Sequence, residues 1–419
     1  MPWIVAGMRS TSAAVTAALA LAAVALGTGP AAHGAAAGST VVRERVAPGV
    51  GYAAFTVPTS HGTARVYVVT ADLGRRGVAA GLLYPGAVAA REPVSRMGRD
   101  AGAVAAVNGD FFDISEGQHP GVQATGSASG PSVLDGLPLK GAVPQGQRFG
   151  WSAPPGDGDE DVFGVGVDGR ARMARMVLRG QVLTPRGTLV LAGLNQYALP
   201  VDSVGAFTPQ WGSASRARAV CGTDRNRAAP CTGDSYEVTV RQGRVQTASA
   251  TPGTGPVLPG TTVLLGREAG ARALRGLTPG TPVGVDYRID SSSAVPFAFA
   301  LGAYPLVRNH QPLPGLDDVT AEPRSAVCTA DGGRTLRLLS TEGREGVSSG
   351  LTLSELAGLL GSLGCAEASY LDGGASATLA TLDRATGRFL VRNCLDHQQE
   401  RPVPNGIAVF SPGRTGQSR

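Results

Sequence analysis

Lysine is almost missing from this chain: Lys140 is the only one in 419 residues. The formal charge of +5 is therefore carried by arginines, which are scattered among alanine and glycine rather than clustered. Aromatic residues make up only 5% of the chain and are not interleaved with basic ones. Neither a phosphate-tracking stripe nor a stacking platform is present, so nucleic-acid binding is set aside. Charged residues are sparse, 16% against 42% hydrophobic, which excludes disorder over most of the length and leaves ample material for a core. Histidine is scarce, there is no His-Glu-x-x-His, and the five cysteines match no zinc spacing, so no catalytic zinc is expected. Beyond the amino terminus no run is long and apolar enough to span a bilayer.

The amino terminus, residues 1–37, reads as an export signal. Arg9 and the free amine precede an apolar stretch from Ala13 to Gly27, and Ala35-Ala36-Ala37 offers a cleavage site. About fifteen apolar residues are short for a membrane anchor. A secreted protein with no stable membrane span is expected. Cys221 and Cys231 flank a short polar loop and should pair, while Cys328, Cys365 and Cys394 leave an odd count with their pairing open.

Taken in order, Ala64-Arg65-Val66-Tyr67-Val68-Val69 reads as a strand and Glu92 to Ala101 as a short helix. Ala103 to Val107 is apolar on both faces, as in a buried strand, and runs into Asn108-Gly109-Asp110-Phe111-Phe112-Asp113. That turn places Asn108, Asp110 and Asp113 at a strand end, where α/β proteins bind ligands; the plain alternative is that Phe111 and Phe112 plug the core. Gly117 to Gly146 should be a long surface loop. Asp157-Gly158-Asp159-Glu160-Asp161 lacks the pattern of a calcium loop and reads as a solvated turn. Residues 163–290 give short strands broken by glycine and proline, a β-rich middle region.

The last third alternates strand, helix and strand. Thr335 to Thr341 is a strand, Thr352 and Glu355 form a capping box, and Leu353, Leu356, Ala357, Leu360 and Leu363 follow at helical spacing. The next strand carries Tyr370-Leu371 into Asp372. A right-handed parallel crossover is implied. The fold class expected is α+β or mixed α/β, with a central mixed sheet, flanking helices and the β-rich middle region.

The stretch from Tyr370 to Thr378 holds the candidate chemistry. A carboxylate, Asp372, is followed by Gly373 and Gly374, whose backbone can approach a ligand, and by the hydroxyls of Ser376 and Thr378. Such a turn suits activation of one group while an anion is held; the plain alternative is a tight turn capped by Asp372.

Asn-Gly-Asp-Phe-Phe at 108–112, Arg-Ser-Ala at 324–326, Thr-Glu-Gly-Arg at 341–344 and Ser-Gly-Leu-Thr-Leu-Ser-Glu-Leu-Ala at 349–357 occur in order. Leu-Asp-Gly-Gly-Ala-Ser-Ala-Thr at 371–378 and Arg-Pro-Val-Pro-Asn at 401–405 complete the series. Together these resemble the phosphodiester glycosidase family over residues 98–130 and 296–411, and the region between is similar to the middle of its actinobacterial members. One domain over 38–413 and a disordered tail at 414–419 are expected. The resemblance implies hydrolysis of a sugar 1-phosphodiester at the anomeric carbon. It points to Asp372 as base, nucleophile or electrostatic stabiliser, with Asn108, Asp110 and Glu342 as further catalytic candidates. Arg324, Gly373, Gly374, Ser376, Thr378, Arg344 and Asn405 are its phosphate or substrate binders. The sequence departs from the family pattern at Ala375, where a glycine is usual, at Glu342, where aspartate is usual, and at Asp110, often glycine.

The implied partner is a sugar-phosphate diester or cell-envelope glycan. No cofactor is expected; a divalent cation such as calcium is possible but unsupported by the sequence, which leaves cation dependence open. Two other readings stand beside this one. A non-catalytic exported module would bind phosphodiester-linked wall or exopolysaccharide. A serine hydrolase would use Ser348 in Gly346-Val347-Ser348-Ser349-Gly350 with Asp372 and His397.

Overall fold

The computed structural model describes residues 41–150, 156–344, 348–393, 395 and 399–412. The expected export signal, the tail, Cys394 and His397 lie outside these. Strand dominates: 43% against 11% helix, with three α-helices, Val94–Asp100, Ala269–Leu274 and Leu353–Ser362, among the described residues. The expected helix-flanked α/β architecture is therefore wrong. The described residues fold as sheets packed on sheets, eight-, eleven- and five-stranded, with one further two-stranded pair.

The error has a physical source. A strand apolar on both faces is buried on both, but sheets can bury it as well as helices can. Ala105–Asn108 is wholly buried in the five-stranded sheet between Leu379–Leu382 and Gly406–Phe410, antiparallel to both. Val107 there shares one apolar cluster with Val69 and Leu338 of the eight-stranded sheet and with Phe163, Phe207 and Val263 of the eleven-stranded one. The implied parallel crossover is present, but split: the strands before and after the helix Leu353–Ser362 run parallel without touching. Thr335–Thr341 and Glu367–Leu371 lie in the same sheet, but Ser325–Ala330 sits between them and pairs antiparallel with each. Among the described ladders only Gly187–Leu194 with Val204–Phe207 is parallel.

Local signals survive this change of architecture. Thr352 and Glu355 make both hydrogen bonds of the capping box, and the helix Leu353–Ser362 buries Leu353, Leu356, Ala357 and Leu360. Its apolar stripe meets Ala326, Cys328, Ala368 and Tyr370 of the neighbouring strands. Cys221 pairs with Cys231, and Cys328 with Cys365. Two loop expectations are overturned. The Gly117–Gly146 segment contains a hairpin, Ser132–Leu134 with Leu137–Lys140, and residues 125–133 are buried. The acidic run is not solvated: Asp157, Asp159 and Asp161 are all buried, and Asp161 opens a strand.

Candidate functional site

Asp372 follows the strand Glu367–Leu371 directly, and the Asn108 turn is bolted against it. The Asp372 N–H donates to the Gly109 carbonyl at 2.8 Å. The Asn108 side-chain amide donates to the Asp372 carbonyl at 2.7 Å, while its oxygen accepts from the Ser325 hydroxyl at 2.7 Å and the Thr378 N–H at 3.1 Å. Asn108 is wholly buried, so it clamps both ends of the 372–378 turn rather than touching a sugar. Gly109 is forced by crowding: a Cβ there would lie 2.2 Å from the Asn405 side-chain oxygen. That oxygen accepts from the Asp110 N–H at 2.9 Å, so Asn405 braces the turn and is not a free binding group.

Glycine is needed twice more within the turn. A Cβ on Gly373 would meet the Pro323 carbonyl at 2.6 Å, and Gly374 has φ +56. The Gly374, Ser376 and Ala377 N–H groups donate to the Pro323, Gly373 and Gly374 carbonyls. With Thr378 bonded to Asn108, four of the turn's donors hold the turn together instead of forming an anion cradle. The hydroxyls differ as well. Ser376 hydrogen-bonds the Asp372 carboxyl and accepts from Arg401 Nη1 at 3.2 Å. The Thr378 hydroxyl is buried and has no hydrogen-bond partner among the described residues.

A pocket of about 160 Å³ opens at this point, walled by Phe111, Phe112, Ile114, Phe149 and Gly150, with Asp372 and Arg401 as its charged members. Burial pushes the Asp372 carboxyl up to about 7. The nearby Asp110 adds to the rise, while Ser376, Arg401 and the Gly373 N–H oppose it. A carboxyl poised near neutrality in a cleft is suited to acid–base or nucleophilic work.

Asp110 lies behind this pocket. It is 1% exposed, and one carboxyl oxygen accepts from the Gly130 N–H at 2.6 Å. Gly302 leaves it room, since a Cβ there would come within 2.4 Å of the carboxylate. Lys140 lies nearby, buried and donating to the Gly130 and Gly141 carbonyls at 2.5 and 2.6 Å; burial pushes its amine down to about 8. Arg148 sets the pocket wall from beneath. Its guanidinium stacks 4.3 Å from the Phe111 ring and 3.7 Å from Tyr304, and donates to the Tyr370 hydroxyl at 3.1 Å.

The remaining candidates fall outside the pocket lining. Arg324 is buried and donates to the carbonyls of Leu351 at 2.9 Å and Thr320 at 2.7 Å, so its guanidinium ties loops together. Glu342 is buried, accepts from the Tyr67 hydroxyl at 2.8 Å and faces Arg65 at 3.5 Å. Arg344 pairs through its backbone with Ser348. The Ser348 hydroxyl donates to the Glu342 carbonyl at 2.5 Å and accepts from the Arg65 N–H at 3.1 Å, a structural use that leaves nothing poised for attack. Sequence reasoning missed Arg401. Its signal was present as the first residue of the Arg-Pro-Val-Pro-Asn stretch, of which only Asn405 was singled out.

A family model described as phosphodiester glycosidase matches residues 234–410, a range that includes Asp372 and Arg401 but not the Asn108 turn. No curated protein matches. Among solved structures, a hypothetical protein from Synechocystis superposes with TM-score 0.67 at 21% identity, covering 90% of this chain and 64% of that one. A protein described as exported, from Burkholderia pseudomallei, gives 0.64 at 22%, covering 83% and 74%. A looser likeness, TM-score 0.42 at 14% identity over 91% and 90%, is to the catalytic domain of zebrafish N-acetylglucosamine-1-phosphodiester alpha-N-acetylglucosaminidase, auto-inhibited by its pro-peptide. This chain thus spans just under two thirds of the Synechocystis protein.

Proposed function

With residues 234–410 similar to the phosphodiester glycosidases, we propose that this protein is an exported hydrolase that cleaves the C1–O bond of a sugar 1-phosphodiester, releasing free sugar and a phosphomonoester. The observation that carries the reading is the meeting of Asp372 and Arg401 at one aromatic-walled pocket, with Ser376 bonded to both. Ionised Asp372 supports positive charge at the anomeric carbon or takes a proton from the attacking water. Arg401 supplies a charge-assisted hydrogen bond to the departing phosphate, which leaves as a stable anion and asks little of a general acid. Phe111, Phe112 and Phe149 offer apolar ring faces to the sugar. Export is supported by the two disulfides, which persist in oxidising compartments.

The test is a screen of sugar 1-phosphodiesters with both products measured. Free sugar together with phosphomonoester is expected, and Asp372→Asn in a folded protein should lose nearly all turnover. Near-wild-type rates in that variant would remove Asp372 from the mechanism. Inorganic phosphate as product would indicate a phosphatase, and binding without turnover a glycan-binding module.

A further inference from the structure

The loop closed by Cys221 and Cys231 rests on a buried imidazole that the pocket chemistry does not use. A ring nitrogen of His119 and the two Sγ atoms all lie within 4.8 Å of one another. His119 Nδ1 meets a Glu116 carboxyl oxygen at 2.5 Å, and the other oxygen of Glu116 is held by Arg218 Nε. Nε2 faces the Ala229 carbonyl at 2.9 Å, an atom of the disulfide loop itself. His119, Glu116, Arg218 and Cys221 are all buried. A carboxylate that fixes one imidazole nitrogen and aims the other is the usual support of a metal-ligating histidine. The sulfurs beside it are poor ligands as a disulfide and strong ones as thiolates.

We propose that reduction of the Cys221–Cys231 disulfide converts this cluster into a binding site for one soft divalent cation of the zinc type. The two thiolates and His119 Nε2 hold the ion, with water in the fourth position. A dithiol supplies the two electrons and two protons that break the S–S bond and is itself oxidised to a disulfide; the ion then displaces both thiol protons to solvent. Opening the loop lets the Ala229 carbonyl leave Nε2. Two thiolates cancel the charge of the ion and Arg218 offsets Glu116, so the filled site buries no net charge. Cys231 is not buried, which gives reductant and ion a way in. Cys328 and Cys365 are fully buried, so mild dithiol treatment opens the first bridge before the second.

The experiment is cobalt titration of the folded full chain before and after mild dithiol reduction, with alkylation mapping to identify the opened bridge. The expected result is one cobalt per reduced chain with a thiolate charge-transfer band, displaced by zinc and absent from the oxidised protein. His119→Ala should weaken uptake by about tenfold or more. Cys231→Ser, at the solvent-facing end of the loop, gives the same reading if His119→Ala does not fold. No uptake by the reduced chain, loss of fold on reduction, or uptake undiminished in these variants overturns the proposal.

Discussion

Arg401 and Arg324 are both arginines at the edge of the Asp372 turn, and their surroundings give them different work. Arg324 has its guanidinium spent on the Leu351 and Thr320 carbonyls, whereas Arg401 faces the pocket and touches Ser376. Arg401→Gln should therefore lose a charge-assisted contact, about 1.5–3 kcal/mol of transition-state binding, read as a lower kcat/KM for the phosphodiester. It also removes a charge that holds the Asp372 carboxyl down. If Asp372 acts ionised, the wild-type rate rises with pH through about 7, and the variant's rise should move to higher pH. A kcat/KM profile checks both effects, and an unmoved limb would place Arg401 away from Asp372. Arg324→Gln should instead lower the melting temperature and leave the limb in place.

At the scale of the turn, backbone conformation separates Ala375 from its neighbours. Ala375 breaks the family pattern, but it lies in a short 3-10 turn and is not among the residues with positive φ; the left-handed residue is its neighbour Gly374. Ala375→Gly relieves no strain, so it should leave activity near wild type and cost about 0.4–1 kcal/mol of stability through chain entropy. Gly373→Ala drives a methyl against the Pro323 carbonyl, which shifts the backbone beside Asp372; a loss of about 1–3 kcal/mol is expected, with turnover falling alongside. Thermal melts and rates of the pair separate the two positions, and equal behaviour would refute the turn geometry. The same scale shows what the sequence could reveal. The capping box, the strand into Asp372 and the Asn108 turn are local patterns, and each is where its residues implied. The partners of buried strands are not local: the apolar run before Asn108 states that both faces are covered, not whether sheets or helices cover them. Asn108 as clamp rather than sugar ligand was equally hidden, because its three partners, at Ser325, Asp372 and Thr378, lie more than two hundred residues away.

For the molecule as a whole, buried carboxyls set the response of stability to pH. Burial pushes Asp113, Asp157, Asp159 and Asp372 to about 7, against about 3.9 in an unfolded chain. Between those values the folded protein keeps protons that the unfolded chain releases, so stability falls as pH rises from about 4 to about 7. Lys140 works in the opposite sense. Its amine sits at about 8 when folded and about 10.4 when unfolded, so stability recovers modestly between those two pH values. Above about pH 10 the buried tyrosines Tyr197 and Tyr304, raised by burial, reverse the trend again, since the unfolded chain ionises first. Carboxyls held low by surface partners, Asp234 and Asp383 among them, act only below the ordinary carboxylate range and leave this window untouched. Scanning calorimetry at about pH 5, 7.5 and 9.5 should give the highest melting temperature at the first, the lowest at the second and a shallow recovery at the third. A melting temperature that climbs from pH 5 to neutrality would mean that these carboxyls are solvated or paired in the folded protein, and the buried charge network around the pocket would have to be redrawn.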